Sequence, residues 1–184
     1  MNNRLRDFFH IFLFSILVLT LTFKLFNYFN KGFDFTDESF YILSYLYPLE
    51  FYNTPSLSHL FGHLLLVISD QNILNLRYSG FFILIFSSLI FCFGFFALLT
   101  SDYFNLIDKK NAKLFLVTIG LISLFHYYFF FIPTPSYNLF NLSLISIYCG
   151  LICFYLTKNK PKIWILLINL TLLTIFLNKP TSLI

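Results

Sequence analysis

Residues 79–99 read SGFFILIFSSLIFCFGFFALL, a run of 21 positions without one charged side chain. A helix rises about 1.5 Å per residue, so such a run covers about 30 Å, the thickness of the hydrocarbon core of a bilayer. A barrel strand needs only roughly 9 to 11 residues and alternates apolar with polar. This run is too long and lacks the alternation, so its reading is a membrane-spanning helix.

Working outward, similar runs occupy about residues 8–29, 113–132 and 139–157, with a shorter one at about 163–177. The 184-residue chain is 58% hydrophobic and 22% aromatic with 11% charged residues, and its mean hydropathy is +0.79. A soluble domain of this size has no interior large enough for that much apolar surface. Arg4 and Arg6 precede the first run as in a secretory signal. The run is longer than a signal core and no small-residue cleavage site follows it, so it reads as a retained anchor. The expected fold class is all-α. It is a polytopic membrane helix bundle of about five spans, one transmembrane domain over residues 1–184, with amphipathic interfacial helices in the first outer loop. Cys92, Cys149 and Cys153 fall inside the runs and read as small apolar fillers. The glycosylation patterns at Asn141 and Asn169 also lie within runs and are discounted.

Five spans divide the remaining segments between two sides. Arg4, Arg6, Lys109, Lys110, Lys113, Lys158, Lys160 and Lys162 fall on the side of the N-terminus; Lys31, Arg77 and Lys179 fall on the other, with Lys24 near a span end. Basic residues collect on the cytoplasmic side, so the N-terminus is expected there. The net charge of +4 is thus a matter of orientation in a membrane, and no nucleic-acid partner is expected. Five of the eight acids, Asp34, Asp37, Glu38, Glu50 and Asp70, lie on the outer side. Carboxylates contribute little to topology, so their placement asks for another reason.

The first outer loop, about residues 30–78, is long for a connector and is expected to carry helices. Thr36 can cap a helix running to Tyr47 and stopped by Pro48, and a second helix is expected at about 57–69. Asp37 and Glu38 then stand in a first helical turn, where acids offset the positive end of the helix dipole without any catalytic role. Two further outer segments are polar: Pro133-Thr-Pro-Ser-Tyr-Asn138 and Asn178-Lys-Pro-Thr-Ser182. Each sits at a helix end, and a short bundle gathers all three around one mouth. Adjacent helical positions point about 100° apart, so Asp37 and Glu38 are expected to have different roles.

His59 and His63, at i and i+4, have the spacing for one metal on a helix face. Leu-Phe-Gly stands between them with no third ligand in the pattern, so interface packing is the preferred reading. His126 inside the third run reads as a hydrogen-bonded structural histidine. Tyr137 and Asn138 fit either sugar hydrogen bonding or a turn followed by an interfacial aromatic and a helix start.

Thr-Asp-Glu-Ser-Phe-Tyr at 36–41, placed just after the first span, resembles the Asp-Glu-x-x-Tyr segment of GT-C type membrane glycosyltransferases, nearest to the protein mannosyltransferase and aminoarabinose transferase branch. Weaker echoes are Ser58-His-Leu-Phe-Gly-His-Leu-Leu-Leu66, Asn75-Leu-Arg-Tyr78, Pro135-Ser-Tyr-Asn138 and Lys179-Pro-Thr-Ser182, in matching order and sidedness. The resemblance implies transfer of a sugar from a polyprenyl-phosphate carrier to a lipid, glycan or protein acceptor at the outer face of a bacterial inner membrane. It implies Asp37 as general base, with Glu38 orienting the acceptor or a divalent cation. Tyr41, Tyr137 and Asn138 would contact substrate, and Arg77 or Lys179 would offset the phosphate, whereas by sequence alone both cations read as interfacial anchors. The chain departs from the family in two respects: Pro133–Asn138 lacks the acid that many relatives carry in that loop, and relatives are much longer. It is therefore expected to be an N-terminal portion. The rival reading is a non-enzymatic small membrane protein or transporter fragment whose outer acids cap helices or bind cations. A transporter should carry repeated halves and broken spans with midplane charges, which are not evident here.

Overall fold

The computed structural model describes residues 3–30, 37–51, 56–101, 120, 127–128, 133–157 and 162–178. Among these residues every regular element is helical. Six helices have both ends among them: α1 (Asn3–Phe29), α2 (Asp37–Leu46), α3 (Ser58–Ile68), α4 (Ile73–Leu99), α5 (Tyr137–Tyr155) and α6 (Lys162–Asn178). The chain divides into two units, Met1–Phe33 and Asp34–Ile184.

The first unit is the single helix α1. Its Thr20 and Thr22 hydroxyls donate to the carbonyls of Ile16 and Val18, each at 2.8 Å. Those bonds to the preceding turn satisfy both hydroxyls within the helix. Phe12, Leu17, Leu19 and Phe23 are exposed around it.

In the second unit α4 packs along α5 and α5 along α6, while α2 lies on α3, which also touches α4 and α5. Among the described residues two helices, α4 and α5, are long and apolar enough to cross a membrane. At 17 residues α6 is apolar but shorter. The all-helical fold expected from the apolar runs is therefore present. Five crossings are more than these helices establish. Of the run at 113–132 only Gly120, Tyr127 and Tyr128 are described, and these are helical and buried.

The helix ends follow local chemistry. Asn72 caps α4, accepting from the backbone N–H groups of Leu74 at 2.9 Å and Asn75 at 3.2 Å. This cap starts the helix six residues before the run at 79–99, so Arg77 sits within its second turn, not ahead of it. Asp70 and Gln71, both with positive φ (53° and 56°), turn the chain sharply from α3 into α4. Such left-handed residues are tolerated where a tight reversal demands them. Pro48 ends α2 close to the expected place, because the residue before a proline is driven out of helical conformation. The Thr36 cap lies outside the described residues.

The α4–α5 contact is made through glycines. A Cβ on Gly150 would sit 2.7 Å from the Ile90 carbonyl oxygen, and a Cβ on Gly94 would collide with the Gly150 carbonyl. Backbones approach this closely only where small residues face each other, a common device between apolar helices. Gly150→Leu is expected to force the pair apart at a cost on the order of 1–3 kcal/mol or more, as overpacking does. Thermal unfolding in detergent measures it, and an unchanged midpoint would mean the helices do not meet here.

Candidate functional site

The two acids of α2 part company in its first turn. Glu38 points inward and is 1% exposed, while Asp37 is exposed at the helix start. Both oxygens of Glu38 meet Arg77 of α4: Nε donates to Oε1 at 2.9 Å and Nη2 to Oε2 at 2.7 Å. The Thr134 hydroxyl also donates to Oε1. Arg77 is itself 4% exposed and Thr134 fully buried. The result is a forked, desolvated ion pair with a third donor from the loop before α5.

Two more bonds hold α2 in place. The Tyr45 hydroxyl donates to the Pro135 carbonyl at 2.5 Å, and the His63 ring N–H at Nδ1 donates to the Tyr45 carbonyl at 2.6 Å. The Tyr45 ring lies against Gly62, where any side chain would overlap it. Ser136, next in the loop, caps α5. Thr134 and Tyr45 were not among the expected site residues. The signal for Thr134 was its place between two prolines in a segment already marked as polar.

Asp37 and Tyr41 stand at i and i+4, so they share one face of α2. The Tyr41 ring lies 6.1 Å from that of Tyr137, the first residue of α5. Burial first, then charge on Tyr137 and on Asp37, push the Tyr41 phenol well above its ordinary range, so it stays a neutral hydroxyl. Asn138 is half-buried beside Tyr137. At the far end of α6, Asn178 Nδ2 donates to the Tyr137 carbonyl at 3.4 Å, and Ser56 donates to the Asn178 carbonyl at 2.5 Å. The Leu57 N–H donates to the Leu177 carbonyl at 3.0 Å. The beginnings of α2, α3 and α5 and the end of α6 thereby meet in one neighbourhood. Lys179 lies outside the described residues.

The structure thus joins Glu38 to Arg77, two residues expected to face substrate separately, and leaves Asp37 exposed one helical turn before Tyr41, which is buried between the rings of Tyr45 and Tyr137. Among the described residues no group of three or more His, Cys, Asp or Glu could hold a metal ion. His63 uses Nδ1 on a carbonyl, and His59 faces aromatic rings, 5.5 Å from Phe51 and 6.4 Å from Phe40.

His59 is 6% exposed, its Nδ1 has no hydrogen-bond partner, and burial lowers its pKa from the usual 6.5. The folded chain therefore binds this proton less readily than the unfolded chain. Its stabilising contribution is complete above pH 6.5 and is lost as pH falls from there toward the lowered folded value. The thermal midpoint is expected to decline over that acid range, and His59→Leu to flatten the decline. An equally steep decline in the variant would assign it to other groups.

Comparisons of the chain with protein-family models, with curated proteins and with solved structures find no match.

Proposed function

We propose that the chain is the membrane domain of a glycosyltransferase that moves a sugar from a polyprenyl-phosphate carrier to an acceptor hydroxyl at the outer membrane face. The carrying observation is the split of the two acids. With Glu38 fixed by Arg77 and Thr134, Asp37 stays exposed one helical turn before Tyr41, whose ring lies beside that of Tyr137. A carboxylate beside an aromatic pair suits general-base chemistry on a sugar, whose apolar face can rest on a ring.

In this reading the acceptor hydroxyl gives its proton to Asp37 while its oxygen bonds to the anomeric carbon. The bond from that carbon to the phosphate oxygen breaks, and polyprenyl phosphate leaves with the electron pair. Tyr41, Tyr137 and Asn138 orient the sugar. Glu38 and Arg77 are positioning residues that hold the turn carrying Asp37, and Lys179 is the cation assigned to the departing phosphate.

The reading further takes five spans in a bacterial inner membrane with the N-terminus cytoplasmic, supported by the five apolar runs and the bias of basic residues. Two helices of crossing length agree with membrane placement. The test is transfer from a polyprenyl-phosphate sugar in membranes containing the intact protein, compared with its Asp37→Asn variant. Undiminished transfer in the variant would leave Asp37 as a helix-end charge, which is the role the rival reading gives it.

A further inference from the structure

A second feature of the Asp34–Ile184 unit lies below that mouth. A cavity of about 270 Å³ opens among α3, α4, α5 and α6, walled by Phe61, Leu65, Ile83, Phe140 and Ile147. Its lining is almost wholly apolar, with two hydroxyl residues in it, and these two behave differently. The Thr174 hydroxyl is taken by the Leu170 carbonyl at 2.8 Å, as Ser146 is by Leu142 on the neighbouring helix. Ser143 is 2% exposed and its hydroxyl has no hydrogen-bond partner. A buried hydroxyl without a partner costs free energy, and serine in a helix can ordinarily avoid that by bonding to the preceding turn. An unused donor on the wall of an apolar cavity is the complement of an acceptor on an otherwise apolar ligand.

We infer that this cavity is a lateral binding site for one acyl chain of a bilayer glycerolipid, with Ser143 donating to the ester carbonyl at the head of that chain. Three placements support it. Engineered apolar cavities of about 150 Å³ already hold benzene, so this larger space accommodates a length of hydrocarbon. Ser143 lies six residues into α5, about 9 Å from its start, and Ile147 about 15 Å, at the helical rise. From Ser143 the α5 wall runs on inward through Leu144 and Ile147, so the donor is followed by hydrocarbon, the order of groups in one leaflet, whose apolar half is about 15 Å deep. Leu64 at the cavity is 58% exposed and belongs to an exposed apolar face of α3 with Leu60, Val67 and Ile68, so the entrance is continuous with a lipid-compatible surface. The inference rests on the chain being membrane-embedded and owes nothing to Asp37 as base.

The test uses the full chain purified in detergent and titrated with diacyl phosphatidylglycerol or its diether analogue, which lacks ester carbonyls, with bound lipid counted by native mass spectrometry. The wild type is expected to hold one diacyl lipid about 5-fold more tightly than the diether, the worth of about one hydrogen bond. Ser143→Ala should bind the two equally, and Ile147→Trp, which fills the cavity, should hold neither at the one-lipid step. Asp37→Asn should bind like the wild type even where sugar transfer is lost, which separates this site from the proposed reaction. Equal binding of ester and ether lipids by the wild type would overturn the role of Ser143. Unchanged lipid counts in Ile147→Trp, with helix content retained, would overturn the cavity as the site. Displacement of the diacyl lipid by stoichiometric polyprenyl phosphate would overturn the glycerolipid as its occupant.

Discussion

Arg77→Met is expected to destabilise the folded chain by about 3–5 kcal/mol, the usual cost of removing one partner from a buried ion pair. The cause is what remains. Glu38, at 1% exposure, loses the two charged donors that Arg77 gives it. Arg77 is also a long side chain packed at 4% exposure, so part of the loss is packing. A double variant, Arg77→Met with Glu38→Met, separates the contributions. Replacing a whole buried pair by apolar residues is often neutral or stabilising, so the double variant should recover most of the loss. Thermal or denaturant unfolding in detergent reads all three states. If the single variant unfolds like the wild type, the pair is not formed as described. The carboxylate and guanidinium would then both be solvated.

On the proposed reading, Asp37→Asn is expected to leave stability nearly unchanged and to reduce sugar transfer by about 10²- to 10⁴-fold, the range that a general base contributes. Asparagine keeps the shape and still serves at a helix start, so a stability effect of dipole loss should be small. The contrast with Glu38→Gln is informative. In that reading Glu38 acts through the placement of α2, so its variant should lower stability and activity together, while Asp37→Asn should lower activity alone. Assay of transfer alongside the unfolding midpoint distinguishes them. Equal loss of both in Asp37→Asn would make Asp37 another positioning residue.

The helices were legible because each rests on local information. The run at 79–99 is too apolar and too long for anything but a helix, and Pro48 marks the end of α2 without reference to any other part of the chain. The start of α4 was misread by six residues because hydropathy registers where apolar side chains begin, whereas the cap at Asn72 decides where the backbone begins to wind. That error hid the meaning of Arg77. Outside a helix it reads as an interfacial anchor. One turn inside, it can point across the bundle.

The different aims of Asp37 and Glu38 followed from helix geometry alone, yet which of them turns inward did not. Inward direction is set by partners 39 and 96 residues away, Arg77 and Thr134, and no local pattern encodes such separations. The meeting of Asn178 with Tyr137 is of the same kind. Histidine spacing carried even less, because i and i+4 places His59 and His63 on one face without saying that one faces aromatic rings and the other a carbonyl.

The forked pair at Glu38 also orders the events of folding. Its three parts leave the ribosome in sequence: the acid on α2, then the guanidinium on α4, and last the threonine ahead of α5. Until α4 is seated, burying the carboxylate would leave it without its guanidinium, so the contacts of α2 with α3 and with Pro135 have that cost set against them. The same charge that has a partner in the finished arrangement is thus expected to oppose closure of α2 over an unfinished one.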